Sequence, residues 1–546
     1  MARTLKTLLC LLLVIVMMVG CTHPTIDPTE PEALSLEDRL AAYAELGTGT
    51  DDNYRTWYEI FIYSFCDSNG DGIGDIQGVI SKLDYLEELG INGIWFMPIH
   101  PSTSYHKYNV DDYYAIDPDY GTMADFEQLM TECEKRDIKV ILDLVINHSG
   151  DRNEWFTTAC DYLKNLGLGE FGVVEECKYF GYYNFTTDAA KGFNRVPGTA
   201  YYYECQFSSD MPDLKLENED LRKDIEDIMK FWMDKGVGGF RIDAAKEFYT
   251  GNDTSNAEVL NWLQTTATSI DPDAYMVAEA WFNGHTTIAK YYESQMISIF
   301  DYPFGNYDGK LVKVINGRGN PAMVTTWATA QETVDKAYSK ENPNYIDAPF
   351  LSNHDVGRIY SFVGGDEMKL KMAGAMNLFM SGSAFIYYGE EIGMAGTKND
   401  NDPTKRAGMY WSSENSTGMT NPPPGCTPRE NTFGSLEEQR KDEGSIYNYY
   451  REAIAIRHAY PVISHGDPTA ETALNIGCIS AVRKTWNDKE CIILMNINDE
   501  ADTCDLSEYA DWKVAATLSA NGESIELDGT TLNMAAYGIA VLIPGN

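Results

Sequence analysis

Short apolar runs alternate with helix-length amphipathic segments along most of the chain. "WYEIFIYSF" (57–65) is β-branched and aromatic and predicts a strand. "GVISKLDYLEELG" follows, with Val79, Leu83, Leu86 and Leu89 at helical spacing and Gly90 placed as a stop. "INGIWFMPI" (91–99) is a second strand. Thr122 can cap a helix carrying Phe126, Leu129, Met130 and Cys133, and "IKVILDLV" (138–145) is a third strand. From His148 to about Pro212 the alternation stops, and Gly, Tyr, Phe and Asn dominate. A stretch this long without periodicity predicts an inserted small domain and not a loop. Alternation then resumes: Asn218 precedes a helix showing Leu221, Ile225, Ile228 and Trp232, and strands are predicted at 236–245, 274–281, 296–304, 347–355 and 384–391.

The strands number eight, each ending in polar residues, and eight strand-helix units predict a TIM (β/α)8 barrel with its active site at the C-terminal face. Beyond "IYNYYREAIAIRHAY", short alternating strands such as "ECIILMNI" and "GIAVLIP" predict a terminal β-sandwich of about 80 residues. The fold class expected is therefore α/β. The barrel occupies 54–147 and 213–462, the inserted domain 148–212 and the all-β sandwich domain 463–546, behind a leader at 1–20 and a tether at 21–53.

A formal charge of −41, from 42 Lys plus Arg against 83 Asp plus Glu, makes nucleic acid and anionic membrane surfaces poor partners. A neutral, soluble substrate suits this surface. At the N-terminus Arg3 and Lys6 precede an apolar run from Leu8 to Val19, and "MVGC" ends at Cys21. This is a secretory signal that resembles a bacterial lipoprotein cleavage box. The resemblance implies cleavage before Cys21, lipid attachment to its thiol, and a secreted protein held at the bacterial cell surface by that anchor alone; the rival is an ordinary signal peptide. Setting aside Cys10 and Cys21 leaves nine of the 11 cysteines, an odd number, with Cys160, Cys177 and Cys205 close enough in sequence for a pair.

"DSNGDGIGD" (67–75) places oxygen-bearing residues at alternate positions around a glycine, in the manner of a calcium loop. Asp67, Asn69, Asp71, the Ile73 carbonyl and Asp75 are the expected ligands. The glutamate that closes an EF-hand cage is replaced by Gly78, and a strand, not a helix, leads in. A structural calcium or magnesium ion is expected, with an ion-free Asp/Asn/Gly turn as the alternative. No organic cofactor is expected.

Chemistry is offered at the strand ends by Asp143, by Arg241 and Asp243, by Glu279, and by His354 and Asp355. Any one of these is more often a salt bridge or a cap than a catalyst. Together they supply what glycoside hydrolysis needs, an ionised carboxylate and a protonated one. Arg241 lies two residues before Asp243, so both side chains point to one side of a strand, where the guanidinium favours the charged form of Asp243.

"DLVINH" (143–148), "GFRIDAAKE" (239–247), "VAEAW" (277–281) and "FLSNHD" (350–355), with "MPDLK" at Met211, resemble the signature regions of glycoside hydrolase family 13, the α-amylase family, in family order. The resemblance spans about residues 54 to 546. It implies that Asp243 is the nucleophile, Glu279 the general acid/base and Asp355 the third carboxylate. It implies sugar contacts from Tyr108, His106, Asp143, His148, Arg241, Lys246 and His354, and at Asn147 a position that binds structural calcium in many members, with a helix-cap or loop amide as the alternative. Lys246-Glu247 replaces a common Lys-His, and Asn109 stands where aspartate is common. The 67–75 loop is similar to that of the oligo-1,6-glucosidase and neopullulanase branch. Ala244, where members specific for α-1,6 bonds usually carry valine, favours α-1,4 cleavage of starch, maltodextrins or related α-glucans. The alternatives are an α-1,6-acting oligo-glucosidase, a glucan transglycosylase, or a non-catalytic glycan-binding relative, which would typically lack the three carboxylates.

Overall fold

The computed structural model describes residues 34–47, 53–167, 170–317, 319–397 and 399–545. Cys21 and the leader lie outside the described residues.

Strands β1 (Thr56–Ile60), β2 (Gly93–Phe96), β3 (Lys139–Leu144), β4 (Gly239–Ile242), β5 (Tyr275–Ala278), β6 (Ser298–Ile299) and β7 (Ala384–Tyr387) form one parallel sheet in the order β7-β1-β2-β3-β4-β5-β6. Residues 347–350 fill the gap between β6 and β7 through two isolated parallel bridges, Phe300 to Ala348 and Phe350 to Phe385, which close the barrel. Helices follow on the outside, among them Met123–Glu134, which starts in a capping box of Thr122 and Asp125, and Glu219–Met233, capped by Asn218. The strands are buried on both faces, which is why they read as unbroken apolar runs.

Residue parity decides which side chains enter the barrel. Trp57, Trp95, Ile141, Tyr275, Val277, Phe300 and Phe385 form the inner cluster, while Tyr58, Ile94, Val140 and Met276 pack outward under the helices. Continuing the inward series past the strand ends brings Glu59, Asp143, Arg241, Asp243, Glu279 and Tyr302 to the C-terminal mouth.

Between β3 and β4 lie the helix Glu154–Lys164 and a three-stranded antiparallel sheet with Tyr202–Glu204 in the middle. Bridges from His148 to Asp213 and from Tyr183 to Leu214 fasten this insert to the barrel. At the C-terminus a five-stranded antiparallel sheet faces a three-stranded one. In the strand Lys489–Asn496, Ile492 and Leu494 fill the space between the two sheets while Ile493 and Met495 join the larger core, so alternation mortars the domain to its neighbour.

Four expectations are corrected. The run 57–65 is a strand only to Ile60, and Ile62–Phe65 is a helical turn, because a fully buried apolar run carries no period to separate the two. The segment 347–355 contributes bridges and not a strand ladder. Part of the tether is folded: Leu36–Glu45 is a helix capped by Ser35, with Leu36 buried and Arg39 clamping Glu452 of the last barrel helix at 2.6 and 2.9 Å. Cys160, Cys177 and Cys205 form no disulfide, and all nine described cysteines are free thiols. Among the described residues no helix is long and apolar enough to cross a membrane.

Candidate active site

Register builds the centre. Asp143 on β3 pairs directly with Arg241 on β4, and Arg241 pairs with Val277, two residues before Glu279. The buried guanidinium then holds three carboxylates. Its Nη1 donates to Asp143 Oδ1 at 2.7 Å and to Asp243 Oδ1 at 2.6 Å, and its Nη2 donates to Glu279 Oε2 at 2.8 Å. The Trp95 ring lies 5.2 Å from the same cation. Three carboxyl groups around one cation, out of water, cannot all ionise freely. Burial, partly offset by Arg241, raises the Asp143 carboxyl to about 7, and burial likewise raises Glu279, with Asp243 and Asp355 adding repulsion.

Ala244, just past Asp243, has a left-handed backbone at φ 47°, where its N–H donates to Glu279 Oε2 at 3.0 Å. An L-residue in that region costs roughly 1–3 kcal/mol, a strain tolerated here where it secures the neighbouring acid.

Asp355 belongs to a second network. His354 Nδ1 meets Glu59 Oε1 at 2.6 Å, and its Nε2 lies 3.0 Å from Asp355 Oδ2 and 2.7 Å from the Tyr108 hydroxyl, which donates to Asp143 Oδ2 at 3.0 Å. Burial opposes charge on His354, but Asp355 and Glu59 outweigh it and raise the imidazole to about 10. Burial would raise Asp355, yet His354, then Arg406 and Arg241, hold it far below the usual carboxylate range. Arg406 donates to Asp355 Oδ1 at 2.9 Å and to the Tyr105 hydroxyl at 3.1 Å.

These groups open onto a cavity of about 490 Å³ lined by His106, Tyr108, His148, Asp243, Glu279 and Asp355, with Phe207, Met211 and Trp281 as apolar walls. Apolar walls around convergent polar groups suit a sugar ring. Burial keeps His106 neutral by lowering it to about 4, and it lowers His148 as well. The His148 Nε2 is buried with no protein partner among the described residues, which leaves it for a ligand hydroxyl. Lys246 stands at the rim, 3.4 Å from Glu247. Asn147 lines a separate cavity of about 340 Å³ with Asn184, Glu204 and Asp213. Asn109 ties the cavity edge to the insert by donating to Asp210 Oδ2 at 3.1 Å.

The 67–75 loop does not line the cavity. Asp67 Oδ1 accepts from the N–H groups of Asn69 and Gly70, and its Oδ2 accepts from Gly72 at 2.8 Å. Asp75 caps the helix Ile76–Ile80 through Gly78 N at 2.7 Å. Among the described residues no three His, Cys, Asp or Glu side chains converge to hold a metal. The all-oxygen donor set is nonetheless of the hard type that calcium or magnesium takes.

Sequence reasoning missed Glu59, Trp281, Tyr302 and Arg406. Glu59 is a lone acid in an apolar strand, and Tyr302 shares the parity of Phe300, so both carried a signal. Arg406 sits in an irregular segment with none.

A parallel barrel whose C-terminal mouth gathers three carboxyl groups around one guanidinium has the layout that a glycoside hydrolase needs. Residues 59–466 match the family model described as alpha amylase, catalytic domain, and the chain belongs to the α-amylase family. It is 35% identical to Alpha-amylase 3 of Dictyoglomus thermophilum over 458 residues, covering 81% of this chain and 84% of that protein. It is 27% identical to Oligo-1,6-glucosidase of Bacillus cereus over 534 residues, 83% of this chain and 91% of that protein. The solved structure of Eubacterium rectale Amy13B superposes with a TM-score of 0.89 at 42% identity, covering 94% of this chain and 99% of that one.

Proposed function

We propose that this chain is a retaining hydrolase that cleaves α-1,4-glucosidic bonds in starch, maltodextrins or related α-glucans through a covalent glycosyl-enzyme intermediate. The observation that carries the reading is the sharing of one buried guanidinium by Asp243 and Glu279 while burial favours the protonated form of Glu279. Glu279 gives its proton to the glycosidic oxygen, Asp243 attacks the anomeric carbon, and Glu279 then takes a proton from the water that cleaves the ester. Asp355, ionised beside His354 and Arg406, stabilises the positive charge that develops on the sugar. Tyr108, His106, Asp143, His148, Arg241 and His354 hold the sugar at the cleavage point, directly or through one another, and Lys246 meets the leaving-group side.

Ala244, where members specific for α-1,6 bonds usually carry valine, favours the α-1,4 bond. Chain-length analysis of products from amylose, pullulan and isomaltotriose tests this. Release from amylose is expected, and cleavage of isomaltotriose alone would overturn it.

The same reading assigns a structural calcium or magnesium ion to Asp67, Asn69, Asp71, the Ile73 carbonyl and Asp75, remote from the reacting groups. It assigns a lipid to Cys21 and a location on the outer face of a bacterial membrane. Labelling with a fatty-acid analogue is expected in the parent chain and absent after Cys21→Ser; equal labelling of both would sink the anchor.

A further inference from the structure

The two oxygens of Glu279 are not equivalent. Oε2 already accepts from Arg241 Nη2 at 2.8 Å and from the Ala244 N–H at 3.0 Å. Two donors already take up its two lone pairs, so the proton that Glu279 carries as an acid sits on Oε1. Among the described residues, the group that meets Oε1 is the Tyr302 hydroxyl, at 3.2 Å.

Tyr302 is placed there rigidly. It follows β6 in the inward series after Phe300, is buried, stacks on Trp281 with ring centroids 4.9 Å apart and planes at 18°, and meets the edge of Phe350 at 5.0 Å. Trp281 is itself a wall of the cavity. The phenol directs its O–H to Glu279 Oε1.

We propose that Tyr302 is the positioning residue that orients Oε1, the oxygen that the two donors at Oε2 leave to carry the proton of Glu279, and that stabilises Oε1 once the proton has left. The inference rests on the reading of Glu279 as general acid/base. In the first half-reaction the Oε1 proton passes to the glycosidic oxygen as the bond from that oxygen to the anomeric carbon breaks and the Asp243 ester forms. In the second, Oε1 takes a proton from water, the water oxygen bonds to the anomeric carbon, and Asp243 leaves as a carboxylate. Tyr302 keeps its proton throughout and donates it to Oε1, most strongly when Oε1 is charged. The other groups facing Glu279 are Arg241 and Asp243 from β4 and Asp355 from the segment after 347–350. Arg241 and the Ala244 N–H act at Oε2, which leaves the ionisation of Oε1 most exposed to the phenol.

Tyr302→Phe removes one donor to the charged form, so the pKa of Glu279 rises. The alkaline limb of kcat/KM on maltooligosaccharides is expected to move to higher pH, with kcat lower by about 10- to 100-fold. An aryl maltoside with a nitrophenol leaving group needs no proton, and its initial burst is expected to stay near the parent rate. Incorporating 3-fluorotyrosine at 302 keeps the shape with a stronger donor and is expected to move the limb the other way, which serves if the phenylalanine variant does not fold. An unmoved limb in the folded variants, with equal losses on both substrates, would overturn the proposal. Glu279→Gln separates this from the parent reading. If it flattens the alkaline limb while Tyr302→Phe leaves it in place, Tyr302 alone is misassigned; if it retains parent activity on starch, the acid assignment fails first.

Discussion

Asp143 and Arg241 face each other across the β3–β4 ladder, and their side chains meet at 2.7 Å with almost no solvent on either. The same guanidinium orders Asp243 and Glu279, so removing it leaves three carboxyl groups facing one another in a dry site. Arg241→Met is expected to destabilise the protein by about 3–5 kcal/mol, because breaking a buried ion pair strands its partners. Arg241→Lys restores the charge but not the planar fork, so stability should partly return while activity does not. Thermal unfolding and reducing-sugar release, measured on both variants, check the split.

The division of labour between the two reacting carboxyl groups predicts different substrate dependences. Glu279→Gln should lower starch hydrolysis by about 10²–10⁴-fold. It should lower the first-step rate on a nitrophenyl maltoside far less, since that leaving group departs without a proton. Asp243→Asn should abolish turnover of both, and parallel loss in the two variants would contradict the assigned roles.

Glu59 controls the charge of His354. The imidazole is raised from its ordinary 6.5 to about 10 by Asp355 and Glu59 against burial. A basic group raised on folding contributes stability that is fully present below pH 6.5 and lost as pH rises through about 10. Glu59→Gln removes one of the two carboxylates holding that proton, so the loss of stability and activity should begin at lower pH. Melting temperatures and kcat/KM between about pH 6 and 10 report it, and superimposable profiles for parent and variant would refute it.

Much of this was legible before the structure, and the rest for physical reasons was not. Side-chain alternation is a local property, so the pairing of Arg241 with Asp243 could be read from their spacing of two. The same parity runs through Trp57 to Glu59 and Phe300 to Tyr302, and extending it would have found both missed residues. Arg406 reaches Asp355 from a segment with no period, and only tertiary closure brings them to 2.9 Å. The helix Leu36–Glu45 escaped because a single short helix next to a Pro-rich segment reads as part of a linker; its stability comes from Leu36 and the Arg39–Glu452 clamp on a helix more than 400 residues away.

A second pair of acids sits at the seam where the barrel is held by bridges. Asp301 donates its N–H to Ala348 O at 3.0 Å, its Oδ2 is buried with no hydrogen-bond partner among the described residues, and Asp347 lies beside it. Burial raises the Asp301 carboxyl to about 7, and burial with the Asp301 charge raises Asp347 well above its ordinary range. Acids raised on folding bind protons more tightly in the folded state. Their contribution is therefore full below about 4 and lost as pH rises through about 7. Asp347→Asn supplies a neutral partner at every pH and should flatten the fall of melting temperature across that window; an unchanged slope would place the seam's pH sensitivity elsewhere.

The 67–75 loop makes a prediction independent of catalysis. It is tied to a distant segment by Asp67 N to Gly418 O at 3.1 Å and Asn421 N to Gly72 O at 2.7 Å, and Gly72 holds φ 92° with Asn421 packed where a Cβ would stand. A cation bound by this loop would stabilise the folded chain by mass action, about 2.7 kcal/mol at a hundredfold excess over its Kd. Calcium titrated into chelator-treated protein should raise the melting temperature until the site saturates. Asp71→Ala removes a ligand and one exposed hydrogen bond, from Ile73 N at 2.8 Å, but leaves the Asp75 helix cap and the Asp67 turn, so it should abolish the rise while lowering the ion-free melting temperature only slightly. A rise of equal size in the variant would move the ion to another site, and no rise in the parent would leave the loop a turn held by its own carboxylates.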